Sequence, residues 1–91
     1  MFFQANGSPG TWKLDYRVFD VQAGEVQVFV NWRLLGTVYP TEPGKWSRLR
    51  HRSIDDSWIA DSGTNFIAFV ASGNFPAWST WGVRDVAVRQ A

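Results

Sequence analysis

The sequence predicts an all-β fold, a single β-sandwich. Trp12, Leu14, Tyr16 and Val18 alternate with Lys13, Asp15 and Arg17, and Val26, Val28 and Val30 repeat the same period of two. That period puts every second side chain on one face of a strand. Apolar stretches of roughly five to ten residues are separated by short clusters of Gly, Pro, Asn, Asp and Ser, the spacing of a sandwich. No segment shows a convincing helical period.

The elements follow in order. Residues 1–11 read as an irregular N-terminal segment of one domain, 1–91, because Asn6-Gly7-Ser8-Pro9-Gly10 is turn chemistry. Residues 12–21 read as a half-buried strand, Ala23-Gly24 as a tight turn, and 25–31 as the next strand, with Phe29 on its second face. Asn31 to Gly36 reads as a hairpin turn from which Thr37-Val38-Tyr39 returns, and Thr41-Glu42-Pro43-Gly44 as a loop. Residues 46–54 read as a strand. Strict alternation there would draw Arg48, Arg50 and Arg52 inward with Trp46 and Ile54, a conflict that a bulge would relieve. Residues 55–64 mix Asp, Ser, Gly and Thr around Trp58-Ile59 and read as a loop with one helical turn in it. Residues 65–71 are apolar on both faces, as in a central strand of a two-layer fold. Residues 72–80 read as a loop and 81–89 as the closing strand.

Composition excludes several classes. The chain of 91 residues has no Cys and one His, with nine basic and eight acidic side chains. A net charge of +1 is too balanced for duplex DNA or RNA. It also leaves single-stranded nucleic acid a weak alternative. No apolar run approaches the ~20 residues of a membrane span. Met1-Phe2-Phe3 runs directly into Gln4-Ala5-Asn6-Gly7, unlike a signal peptide. The chain is either intracellular or one domain of a larger secreted protein; the lack of Cys fits both, and the extracellular setting is the one expected.

Three segments carry a family likeness. They are Val28-Phe29-Val30-Asn31 with Leu35-Gly36-Thr37-Val38 and Trp46, then Gly63-Thr64-Asn65-Phe66-Ile67-Ala68-Phe69, then Trp81-Gly82-Val83-Arg84-Asp85-Val86-Ala87-Val88. They resemble the "VNG…G…W", "G-x-N-x-I-x-F" and "W-x-V-x-D-V-x-V" segments of galactose-binding-like β-jelly-roll domains. The likeness spans residues 26–88. It implies a jelly roll and, as in many domains of this kind, a non-catalytic carbohydrate-binding module. It also implies a structural Ca²⁺ with Asp85 as a ligand. The acidic partner those modules carry near the first strand is replaced here by Phe3-Gln4-Ala5-Asn6, which holds no carboxylate. The hairpin position usually held by Gly is Trp32.

The six tryptophans divide on this frame. Trp12 continues into Leu14 and Tyr16 and belongs to the core. Trp58 plugs one end of the sandwich, and Trp81 packs beneath the last strand. Trp46 is ambiguous. Trp32 in a turn and Trp78 in a loop with Phe75 resist a core explanation. Rigid indole and phenol rings stack on the C–H face of a pyranose, while its hydroxyls need paired donors and acceptors. The candidate sugar-binding residues are Trp32, Trp78, Trp46 and Tyr39, with Asn31, Arg33, Asn74 and Phe75 beside them. Arg48, Arg50 and Arg52 share a strand face with Trp46 and suit a carboxylated or sulfated glycan, since guanidinium forks pair with planar anions.

Other chemistry is poorly served. Asp55, Asp56, Asp61 and Asn65 do not have the spacing of a calcium loop. His51 has no apparent nucleophile partner, and no carboxylate pair stands out for glycoside hydrolysis. The sequence thus points away from an enzyme. Its partner is expected to be a polysaccharide or oligosaccharide. The alternative is a structural or protein-interaction sandwich whose excess aromatics bury against another domain or a second copy in a homodimer.

Overall fold

The computed structural model describes residues 1–6, 11–60, 62–72 and 80–90. Two antiparallel sheets form an all-β sandwich. Their strands are β1 (Phe2–Asn6), β2 (Trp12–Phe19), β3 (Val26–Val30), β4 (Arg33–Thr37), β5 (Arg50–Ile54), β6 (Ser62–Ala71) and β7 (Gly82–Gln90). One sheet has the order β1-β6-β3-β4 and the other β5-β2-β7. A short 3₁₀ turn, Asp56–Trp58, supplies the helical turn expected within residues 55–64.

The alternation read from sequence places the core. Leu14, Tyr16 and Val18 of β2 face Val26, Val28 and Val30 of β3, and all six are at most 1% exposed. Ile54, Ile59, Ile67, Val21 and Val38 complete this cluster. Burying each such aliphatic side chain contributes about 1.5–3 kcal/mol. Trp12 is buried, and Trp58 and Trp81 pack half-buried against the cluster, as expected of all three. Strand β6 lies between β1 and β3, the central position its two apolar faces predict.

Three expectations need correction. The N-terminal segment is not irregular throughout, because Phe2–Asn6 is a strand paired with β6. Phe3 and Ala5 of that strand face the core. The hairpin turn after β3 does not run to Gly36. Val30 pairs directly with Arg33, leaving a two-residue turn, Asn31–Trp32. Both turn residues have positive φ, 49° and 64°, which matches the type I′ geometry that suits the twist of paired strands. Gly36 instead follows a bulge in β4, where the register with β3 shifts between Val28 and Phe29.

The arginine-rich strand is the third. Only residues 50–54 are a strand, and Trp46 makes an isolated bridge to Phe19. Phe19 shares its parity with Asp15 and Arg17 on the outer side of β2, so Trp46 lies outside. Arg50 and Arg52 pair with Tyr16 and Leu14 and share the inner parity of Ile54. The irregular residues 47–49 reset the alternation, and no bulge interrupts the strand. Trp46 therefore does not share a face with Arg50 and Arg52.

The two outer faces differ. The three-stranded sheet shows Lys13, Asp15, Arg17, His51, Ser53, Arg84 and Arg89. Asp15, almost buried there, accepts from Arg89 Nε at 2.7 Å and pairs with His51 Nδ1 at 2.6 Å. The Arg89 hydrogen bond, followed by that of His51, holds its carboxyl below the ordinary value of 3.8. A carboxyl depressed on folding stabilises above its unfolded value, and that stability fades as pH falls through the folded value. Below about pH 4 the wild type should thus lose stability more steeply than Asp15→Asn. Urea titrations at pH 3 and pH 5 check this, and equal losses in the two proteins would refute it.

The outer face of the four-stranded sheet carries an apolar patch beside Gln4, Thr64 and Gln27. Phe2, Phe66, Trp32 and Phe29 make a continuous ring contact, with centroids 5.9, 5.0 and 6.2 Å apart in that order. Leu34, Ala68 and Val70 extend it along the neighbouring strands. Among the described residues no helix is long and apolar enough to cross a membrane.

Candidate functional site

A depression lies on the flank where edge strand β4 and edge strand β5 approach without pairing. It is a cleft of about 580 Å³ lined by Tyr16, Leu35, Tyr39, Leu49, Arg50, His51, Arg52 and Ser53. Tyr39 forms an outer wall and is 73% exposed. It follows β4 immediately before Pro40, where the chain leaves the sheet, so its ring is not drawn into the core.

The guanidiniums close the flank. Arg50 donates from Nη1 to the Tyr39 carbonyl at 2.6 Å and from Nη2 to the Pro40 carbonyl at 3.0 Å. Arg52 donates from Nη1 to the Thr37 carbonyl at 3.2 Å. Their inner parity is tolerated because the flank is open, and a long stem can lie on apolar surface while its charge reaches polar atoms. Gly36 is what lets Arg52 lie against β4, since a methyl group there would overlap the guanidinium.

A smaller depression adjoins this cleft through Arg50 and is lined by Pro40, Thr41, Glu42, Lys45, Trp46, Ser47 and Arg48. Trp46 is 39% exposed, but the Arg84 guanidinium sits 4.1 Å from its ring centroid and Phe19 packs at 5.3 Å. Its indole is thus partly occupied by neighbours.

The structure thus gathers Tyr39, Arg50 and Arg52 in one place, with Trp46 and Arg48 next to it. It separates them from Trp32, Asn31 and Arg33. Trp32 is 68% exposed, yet its ring meets Phe66 at 69° and Phe29 at 58°, so these rings are not a coplanar stack. Asn31 is an anchor for its turn. Its Nδ2 donates to the Trp58 carbonyl at 2.7 Å and to Asn65 Oδ1 at 2.8 Å, and its Oδ1 accepts from Phe66 N at 3.0 Å. The Arg33 guanidinium lies over the Trp58 ring at 5.9 Å. Asn74, Phe75 and Trp78 lie outside the described residues. Tyr16, Leu35 and Leu49 of the cleft went unflagged in the sequence, since nothing local to them shows that two sheet edges meet there.

The residues around Asp85 do not fit a Ca²⁺. Its Oδ2 lies 3.2 Å from Arg17 Nε and 3.7 Å from Arg84 Nε. Among the described residues no group of three or more His, Cys, Asp or Glu could hold a metal. Asp85 instead sits at φ 56° where the register between β2 and β7 shifts, opposite the step from Asp15 to Arg17. Asp tolerates this left-handed conformation better than most side chains, and a bulge needs it.

No family model, no curated protein and no solved structure matches this chain.

Proposed function

We propose that the protein is a non-catalytic carbohydrate-binding module of the galactose-binding-like jelly-roll type, part of a larger secreted protein. The observation that carries this is the flank cleft, where an exposed phenol ring stands beside fixed guanidinium donors. A pyranose needs both, a flat apolar surface for its C–H face and donors for its hydroxyls. The jelly-roll reading is supported by the winding, since β3 to β4 is the one connection between consecutive described strands that stays within a sheet.

A glycan screen by calorimetry, with and without EDTA, tests the reading. At least one polysaccharide should bind, equally well with EDTA, because Asp85 is committed to Arg17 and Arg84. Tyr39→Ala should weaken that binding about tenfold, or ~1.4 kcal/mol, with the fold unchanged.

The apolar patch on the outer face of the four-stranded sheet favours a second reading, a protein-interaction sandwich. Phe2 and Trp32 are 76% and 68% exposed, and Trp32 is held in a left-handed turn conformation that costs a non-glycine residue on the order of 1–3 kcal/mol. Failure of every glycan, together with concentration-dependent association that Trp32→Ser abolishes, would replace the first reading by this one.

A further inference from the structure

We infer that the flank cleft takes a sugar ring bearing an anionic oxyacid group, a carboxylate or a sulfate ester, with that group held between Arg50 and Arg52. This rests on the carbohydrate reading and names the ligand class of the same site.

The first reason is uncompensated charge. The lining contains two guanidiniums and no carboxylate. Among the described residues, the ion pairs join Arg17 and Arg84 to Asp85, Lys45 to Glu42, and His51 and Arg89 to Asp15. None involves Arg50 or Arg52. Both are only partly exposed, and their sole described partners are backbone carbonyls. A partly buried cation without a counter-charge favours an anion from solution more than a freely hydrated one does.

The second reason is preorganisation. A guanidinium carries five N–H donors. Arg50 uses two N–H groups and Arg52 one on the carbonyls of Pro40, Tyr39 and Thr37, so most donors stay available. The same bonds hold both side chains in position, which lowers the ordering cost of binding. Fixed forks match the two oxygens of a carboxylate or sulfate better than scattered sugar hydroxyls.

The third reason is the floor. Tyr16 is 1% exposed and lines the cleft. Its ring packs edge-on against Phe69 at 5.3 Å, so it is a fixed apolar floor of the cleft. Above it, the exposed Tyr39 ring covers the sugar's apolar face.

The test is calorimetry on the whole chain with matched pairs: oligogalacturonate against its methyl ester, and dextran sulfate against dextran. In at least one pair the charged member should bind tenfold or more tighter than the neutral one, and the pair that shows the gap tells carboxylate from sulfate. Arg50→Gln and Arg52→Gln should each erase most of the gap. Arg17→Gln, on the outer face of the three-stranded sheet and outside the cleft lining, should keep it. Equal binding of charged and neutral members overturns the inference and leaves the carbohydrate reading standing. No binding by any member, and by no other glycan, removes both. Equal weakening by Arg50→Gln, Arg52→Gln and Arg17→Gln would mean diffuse attraction, and overturns the inference too. If the first two variants fail to fold, the arginine Nε–H resonances of the wild type decide. Shifts at Arg50 and Arg52 on adding the charged ligand support the site, and shifts confined to Arg17, Arg84 and Arg89 refute it.

Discussion

Asn65→Ala is expected to lower the unfolding free energy by about 2–4 kcal/mol, the largest loss from any single polar side chain here. Asn65 is fully buried, and both ends of its amide are engaged. Its Oδ1 accepts from Ala60 N at 2.8 Å and from Asn31 Nδ2 at 2.8 Å. Its Nδ2 donates to the Ala60 carbonyl at 3.2 Å and, more weakly, to the Gly63 carbonyl at 3.4 Å. Truncation removes the acceptor of the Ala60 N–H and of one Asn31 N–H in part-buried bonds, and an unpaired buried donor costs about 1–3 kcal/mol. Asn31 would then hold the Trp32 hairpin only through Trp58 and Phe66. For a domain of this size the melting temperature should fall by roughly 10–30 °C. Asn65→Asp retains the acceptor and should lose less. A loss below about 1 kcal/mol in urea would show that this network does not hold residues 58–60 to the hairpin.

Gly36→Ala is expected to weaken glycan binding more than tenfold and to cost about 1–3 kcal/mol of stability. The added methyl meets the Arg52 guanidinium, and Gly36 sits at φ 157°, which L side chains rarely adopt. Arg52 must swing off β4, breaking its bond to the Thr37 carbonyl and opening the cleft wall. A double-mutant cycle separates the two causes. If overlap dominates, Arg52→Ala should add little further binding loss to Gly36→Ala. Additive losses would place the effect in the backbone instead.

Much of the fold was legible because burial imposes a period. Val26, Val28 and Val30 could face one way only, and Trp12 to Val18 likewise. The misses share a cause, which is that distant partners overrode local signs. Phe2–Asn6 ends in a turn cluster and shows too few alternations to declare a strand, yet pairing with β6 makes it one. Gly36 looked like turn chemistry, while its use is the close approach of Arg52 from a strand 16 positions away in the chain. Arg50 and Arg52 were recognised as an anion-binding residue type, and their inward parity looked like a conflict. It is not one, since the edges of two different sheets leave that side of the sandwich open. Trp46 was grouped with them on strict alternation that residues 47–49 break. Trp32 was recognised as exposed, but the rings in line with it, Phe2, Phe66 and Phe29, come from β1, β6 and β3, and only Phe29 is near it in sequence.

The clasp between β4 and β5 has a mechanical consequence. A ladder of backbone bonds yields as a unit, whereas three guanidinium-to-carbonyl bonds can let go singly, at the pace of side-chain rotation. The two walls can therefore part and rejoin while β3–β4 and β2–β5 stay intact, a small breathing motion confined to one seam. A guest that gripped both arginines would act as a bolt across that seam. Its arrival would be felt as slower amide exchange along β5, far more than along the sealed pairing of β2 with β7.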